Sequence, residues 1–275
     1  MRSWRALGGA LCSGALWRRL SGPQEQRLLQ QASCGLVAFV AAAMVLARFV
    51  GVPYGRYSSP AFGWRLPARA SWLVQEAPSC LVPVLLIVCS DGARLAFCPN
   101  RVLLALFVAH YFYRAFIFPL LIRGGKSMPL LTFVMAFIFC SCNGYLQGRK
   151  LSNYAEYPSD WCTDPRFILG FAAWLGGLLI NVHSDHILRE LRKPGETGYK
   201  IPRGGLFEYV TCANYFGEIV EWCGFAIACC TVESLAFAIS TFLILVSRAC
   251  KHHKWYLNKF EDYPRSRKII IPFVF

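Results

Sequence analysis

Seven apolar segments run through the 275-residue chain, at roughly 33–50, 72–90, 102–122, 128–147, 167–183, 206–231 and 233–248. Each approaches the ~20 residues an α-helix needs to cross a hydrocarbon core. Backbone polar groups have no water to bond there, so segments of this length fold as helices. The expected class is all-α: a polytopic membrane protein with about seven transmembrane helices. Pro53, Pro60, Asn100 and Gly124-Gly125 punctuate the connections. The composition agrees, because only 16% of residues are charged, against about 25% in a soluble domain.

A net charge of +14 first suggests nucleic acid. The bases sit in short segments between apolar runs, however, so a membrane surface accounts for them and no nucleic-acid partner is expected. With the C-terminus cytosolic, the loops 51–71, 123–127 and 184–205 plus the tail from 248 carry 17 Lys and Arg. The opposite loops, 91–101 and 146–166, carry five, and residues 1–31 carry five more on that side. The majority places the C-terminus in the cytosol. Residues 1–31 contain Arg2, Arg5, Arg18 and Arg19, with Gly8, Gly9 and Gly14 weakening any helix. They are expected to be a poorly ordered extension ahead of one membrane domain, 32–275. Thirteen cysteines include no CxxC pair. Most lie in apolar runs, where a free thiol acts as a small hydrophobe.

Ionisable residues at membrane depth are costly and usually line a cavity. Glu76 lies in SWLVQEAPSC; His110, Tyr111 and Arg114 lie in AHYFYRAF; Asn214, Glu218 and Glu221 lie in ANYFGEIVEW; His252 and Tyr256 lie in KHHKWYL. A single such group is most simply a locally paired structural one. Four such segments in one chain point to a shared polar cavity. Helical spacing sharpens this. Trp72 and Glu76 share a face. Asn181, Asp185, Leu188 and Arg192 make one stripe, at the polar end of GLLINVHSDHILRELRK. Arg192 would stand at its mouth, with a planar donor fork suited to phosphate.

Rival motifs fail. RGGKS (Arg123–Ser127) would end a P-loop, but Leu120 stands where the first glycine is required. No GxGxxG supports a Rossmann site. His183, Asp185 and His186 lack a second ligand cluster, so no metal is expected. Buried charges also serve transporters.

The residues then carry a resemblance. LPARASWLVQEAPS, CNGYLQ, LINVHSDHILRELRKPGETGYKIPRGGLFEYVTCANYFGEIVEWCGFA and FEDYPRSRKIIIPFVF resemble the steroid 5α-reductase family over roughly Val52 to Phe275. CSCNGYLQ, KSMPLLTF and TGYKIPRGGLFEYVT are more similar to its type 1 than its type 2 branch. Ala77 stands where the family usually has Leu. The resemblance implies a multi-pass enzyme of the endoplasmic reticulum membrane that takes steroid from the bilayer. It implies NADPH-dependent reduction of the C4–C5 double bond of 3-oxo-Δ4 steroids such as testosterone and progesterone. It implies steroid contacts at Glu76 and Tyr111. It implies cofactor contacts at Arg114, Asn181, Asp185, Arg192, Tyr199, Asn214, Glu218, His252 and Tyr256, with Trp72 near nicotinamide and steroid. The alternatives are an isoprenoid or fatty enoyl reductase of related fold and a non-enzymatic sterol-binding or transport protein.

Reduction of an enone at its β-carbon puts negative charge on the 3-oxygen, and a donor there acts as an oxyanion hole does. Tyr111 is the natural donor. Glu76 either orients it or, if protonated by burial, donates directly. The proton taken up at C4 comes from Tyr111 or water.

Overall fold

The structure, a computed structural model, describes residues 22–50, 55–57, 63–89, 92–192, 196 and 198–275. Seven long helices organise them: α1 (Pro23–Val50), α2 (Ala68–Cys89), α3 (Cys98–Leu121), α4 (Leu130–Arg149), α5 (Pro165–Glu190), α6 (Ala213–Cys229) and α7 (Val232–Lys259). Two-residue strands β1 (Arg65–Leu66) and β2 (Met128–Pro129) pair antiparallel. Six of the helices are long and apolar enough to cross a membrane. The remaining helix, α6, has 17 residues, the short end of what can span. The all-α polytopic class is therefore observed. Phe39, Leu85, Leu131, Leu169 and Leu235 stand exposed on five different helices. Such apolar surface is ordinary where lipid tails replace water as the solvent.

Three boundaries differ from the sequence reading. α1 starts at Pro23, which suits a first helical position because it lacks an N–H. Residues 23–31, expected in the extension, are thus helical, and residues 1–21 lie outside the described residues. The apolar run 206–231 is not one helix. Gly204 and Gly205 have φ of 87° and 53°, a region L side chains avoid, and a 3-10 turn follows at Gly205–Glu208. The Thr211 N–H donates to the Lys268 carbonyl (2.9 Å), so the backbone leaves helical bonding until Ala213. Finally, α5 ends at Glu190, so Arg192 lies beyond the helix on which the stripe placed it. Pro194 follows, and the residue before a proline is pushed out of helical geometry.

The described residues form two compact units. The first comprises the chain up to Leu36, Leu46–Asp164 and Thr231–Glu233; the second comprises Val37–Val45, Pro165–Cys230 and Ser234–Phe275. In the first, α2 packs along α4. Pro78 and Pro83 lie inside α2, and Gly144 and Gly148 of α4 face them. A Cβ on Gly144 would stand 2.8 Å from the Pro78 carbonyl oxygen, and one on Gly148 3.0 Å from Pro83 Cα. Ser79 Oγ donates to the Cys140 carbonyl (2.9 Å), fixing the register of the two helices.

In the second unit α5 and α6 approach backbone to backbone. Gly170 meets Gly224 and Ala228, and Gly177 meets Gly217 and Glu221. Glycines let helices in a membrane close to contact distance. A Cβ on Gly177 would stand 2.2 Å from the Glu221 nitrogen, whereas one on Gly176 meets nothing within 4 Å. Gly176→Ala should therefore be neutral or stabilising by up to about 1 kcal/mol. Gly177→Ala should destabilise by about 1–3 kcal/mol. Thermal unfolding of the two neighbouring variants in one detergent checks this, and equal melting temperatures would contradict the packing argument.

Candidate functional site

The first unit holds Trp72, Glu76, Tyr111 and Arg114. Glu76 is half-buried on α2, one turn from Trp72. It accepts from Gln75 Nε2 (3.3 Å) and from the Cys140 thiol of α4 (3.5 Å). Tyr111 is buried on α3 and packs against Phe107, with ring centroids 4.8 Å apart. Its oxygen accepts from Asn143 Nδ2 of α4 (3.3 Å). Just beyond, α3 opens into a π turn at Tyr113–Ile117, next to Pro119, which cannot donate back to the helix. Buried Arg114 sits in that turn. Its guanidinium carbon lies over the rings of Trp72 (5.0 Å) and Phe118 (4.4 Å), a cation–π arrangement that orients the guanidinium.

Asn143 and Gln147 were not singled out from the sequence. Both are buried, at 0% and 2% exposure. Gln147 Nε2 donates to Asn143 Oδ1 (3.2 Å) and to the Glu233 backbone carbonyl (2.9 Å). The readable signal was spacing: Cys140, Asn143 and Gln147 fall at i, i+3 and i+7, a polar stripe within an apolar run. A second cluster lies on the same helix. Arg149 makes a bidentate pair with Glu25 of α1 (2.8 and 3.0 Å), and Tyr145 and Tyr154 also donate to that carboxylate. Lys150 pairs with Glu233 at 3.5 Å.

The second unit holds the other eight residues. The Gly177–Gly217 crossing sets Asn181 of α5 beside Asn214 of α6. Asn181 Nδ2 donates to the Asn214 carbonyl (2.9 Å), and Asn214 Nδ2 donates to Asp185 Oδ1 (3.1 Å). Asn181 is 1% exposed, and its Oδ1 has no hydrogen-bond partner among the described residues. Glu218 is half-buried one turn beyond Asn214. On α7, His252 Nε2 lies 3.4 Å from the Tyr215 hydroxyl, and buried Tyr256 stacks on Tyr263 with centroids 5.3 Å apart. Exposed Arg192 lies over the Tyr199 ring (5.3 Å), which in turn packs against Trp255.

The C-terminal segment holds this face in place. Thr211 Oγ1 lies 2.5 Å from His253 Nδ1 and 2.8 Å from the Tyr263 hydroxyl. Burial pushes the Tyr263 phenol up from its ordinary range. Glu208 accepts from the Gly204 N–H (2.6 Å) and from Arg267 (3.3 Å). Those two donors, the backbone one first, hold its carboxyl below the usual range.

Residues 126–275 match the family model described as 3-oxo-5-alpha-steroid 4-dehydrogenase. The chain is 61% identical over 233 residues to "3-oxo-5-alpha-steroid 4-dehydrogenase 1" of Bos taurus, covering 84% of this chain and 90% of that protein. It is 56% identical to the Homo sapiens protein of the same name, covering 93% and 98%. The chain belongs to the 3-oxo-5-alpha-steroid 4-dehydrogenase family. The human relative named "3-oxo-5-alpha-steroid 4-dehydrogenase 2" is 47% identical over 91% of this chain and 98% of its own. Likeness to the type 1 dehydrogenases thus exceeds likeness to that type 2 relative, as the motifs implied. The matched stretch contains Asn143, Gln147 and all eight candidate residues of the second unit. Trp72, Glu76, Tyr111 and Arg114 precede it.

Proposed function

We propose that this membrane oxidoreductase reduces the C4–C5 double bond of 3-oxo-Δ4 steroids, with NADPH as the cofactor and Tyr111 as the donor to the 3-oxygen. The observation that carries the reading is the direction of the Asn143–Tyr111 hydrogen bond. A backbone carbonyl can only accept, so Gln147 must present its Nε2 to Glu233. The same nitrogen donates to Asn143, which turns Asn143 Oδ1 toward Gln147 and Nδ2 toward Tyr111. A phenol oxygen that accepts from an amide keeps its own O–H to donate elsewhere. Accepting also strengthens that donation, because bonds in a chain polarise one another. Tyr111 is thereby set as a donor before substrate arrives, which is the preorganisation that oxyanion stabilisation needs. Asn143 and Gln147 are positioning residues, and Tyr111 is the catalytic one. Glu76 serves the same centre, by orienting Tyr111 or by donating when protonated.

The second unit's residues fit NADPH. Asn181 Oδ1 is a buried acceptor with no partner among the described residues, and Asp185 and Glu218 add acceptors for hydroxyl or amide groups. Arg192 offers an exposed guanidinium for phosphate. Tyr199, Asn214, His252 and Tyr256 complete that set; Arg114 and Trp72, in the first unit, are cofactor contacts on the family resemblance alone. NADPH, when bound, supplies the hydride that reaches the β-carbon of the enone.

The same reading places the chain in the endoplasmic reticulum membrane with its C-terminus in the cytosol and its steroid drawn from the bilayer. Two of the five bases in the opposite loops, Arg149 and Lys150, are buried and paired with Glu25 and Glu233. They add no exposed charge on that side, which strengthens the bias of Lys and Arg toward the cytosolic loops.

Product analysis of the purified protein with NADPH and a panel of Δ4-3-ketosteroids tests the reading. It predicts 5α-reduced 3-oxosteroids, and NADPH oxidation without steroid product would contradict it. Tyr111→Phe keeps the ring packed on Phe107 and removes the donor. It should lower kcat by about 10²–10³ with a smaller change in steroid KM, and kcat within about twofold would remove Tyr111 from the role. Arg192→Ala should raise the NADPH KM by about 10–100-fold, the worth of a charge-assisted bond, while steroid KM changes little. A contact to the 2′-phosphate predicts that NADH kinetics are spared; a contact to the pyrophosphate predicts equal losses with both cofactors.

A further inference from the structure

Cys98 and Cys162 are far apart in sequence and come together in the first unit. Cys98 opens α3 and is exposed; Cys162 is half-buried in the 3-10 turn Trp161–Thr163. The helix that begins at Cys98 packs against that turn, and burial first, then the nearby Cys98 thiol, push the Cys162 thiol up from its ordinary range.

The surroundings hold the two thiols in place. Asn100, two residues after Cys98 and fully buried, donates to the carbonyls of Leu151 (2.8 Å) and Ala155 (2.9 Å). These bonds tie the first turn of α3 to the segment that leads into the Cys162 turn. The turn itself is anchored by buried Trp161, which packs on Tyr157 with centroids 5.2 Å apart. Two hydrogen bonds close it, from Thr163 Oγ1 to the Asp160 carbonyl (2.7 Å) and from the Asp164 N–H to the Trp161 carbonyl (3.0 Å). Among the described residues no group of three His, Cys, Asp or Glu is placed to hold a metal.

Compartment decides what such a pair does. Most of the chain's cysteines are scattered through apolar runs, away from oxidants. Cys98 and Cys162 instead lie in the loops 91–101 and 146–166, the non-cytosolic side of the proposed orientation. In the endoplasmic reticulum that side is oxidising.

We propose that Cys98 and Cys162 form a lumenal disulfide that pins the start of α3 to the connection between α4 and α5. The inference rests on the orientation given under the proposed function. The exposed Cys98 thiolate attacks the disulfide of a lumenal oxidant, a protein disulfide or glutathione disulfide, and releases one thiol of the oxidant. Cys162 then attacks the Cys98 sulfur of the mixed disulfide and releases the second. The two cysteines together lose two electrons and two protons, and the oxidant's disulfide becomes two thiols. The bond closes a loop that contains all of α3 and α4, and so the helices that carry Tyr111, Asn143 and Gln147.

The test uses microsomes from cells expressing the full chain. Free thiols are blocked at once with N-ethylmaleimide, and the protein is digested with trypsin without reduction. The expected result is a cross-linked pair of the peptides Leu95–Arg101 and Leu151–Arg166 that separates on reduction. A parallel sample is reduced first and then treated with a membrane-impermeant maleimide, before or after permeabilisation. Cys98 should be labelled only after permeabilisation. Both peptides recovered as N-ethylmaleimide adducts, with Cys98 labelled only after permeabilisation, would overturn the disulfide and leave the orientation standing. Adducts together with labelling in sealed microsomes would overturn the orientation and the disulfide with it.

Discussion

Gln147 of α4 makes two hydrogen bonds with one nitrogen, and the polarity of the first unit's site follows from them. The Glu233 carbonyl fixes which end of the Gln147 amide is the donor. That choice propagates to Asn143 and then to Tyr111. In water such a chain would reorganise freely. Here every member is nearly or fully buried, and an unsatisfied polar group at this depth costs about 1–3 kcal/mol. A flip of either amide would break at least one bond with no solvent to replace it. The account therefore places the orientation of the proposed donor in the helix packing of α4 rather than in the substrate.

That packing has its own cause in the sequence. Pro78 and Pro83 lie within α2, and Gly144 and Gly148 let α4 come in against them. Without those glycines the stripe Cys140–Asn143–Gln147 would stand away from Glu76. The second unit uses the same device, with Gly177 and Gly217 bringing Asn181, Asp185 and Asn214 into one hydrogen-bonded line. Polar groups are thus assembled by close backbone approach, which suits a setting where no hydrophobic drive pushes helices together.

The class of fold was legible because segments of nearly 20 apolar residues have few solutions in lipid. The Asn181–Asp185 stripe was legible because helical periodicity survives in sequence. Arg192 was placed on that stripe wrongly: periodicity carries no stop signal by itself, and Pro194 two residues later was the clue. The break at Gly204–Cys212 was invisible as hydropathy, since Leu206, Phe207 and Val210 are apolar in a turn as in a helix; the two glycines were its mark. Asn143 and Gln147 were visible as letters and silent as roles, because the role depends on a carbonyl 86 residues away. The Glu25–Arg149 pair was hidden for the same reason, and because the sequence reading assigned residues 23–31 to a loose extension.

The polarity of the amide chain is the claim on which the mechanism stands, and Asn143→Asp addresses it at nearly constant shape. A carboxylate can only accept, so it would draw the Tyr111 O–H toward itself and away from the steroid oxygen. The measurement is the single-turnover rate of enone reduction at saturating NADPH, with the melting temperature recorded alongside. The account predicts a loss of at least about tenfold, roughly the worth of one redirected hydrogen bond, with cofactor affinity close to that of the unaltered protein and a lower melting temperature, because the substitution buries a carboxylate. A rate within about twofold of the unaltered protein, well short of that bond's worth, would contradict it and reduce Asn143 and Gln147 to buried packing groups.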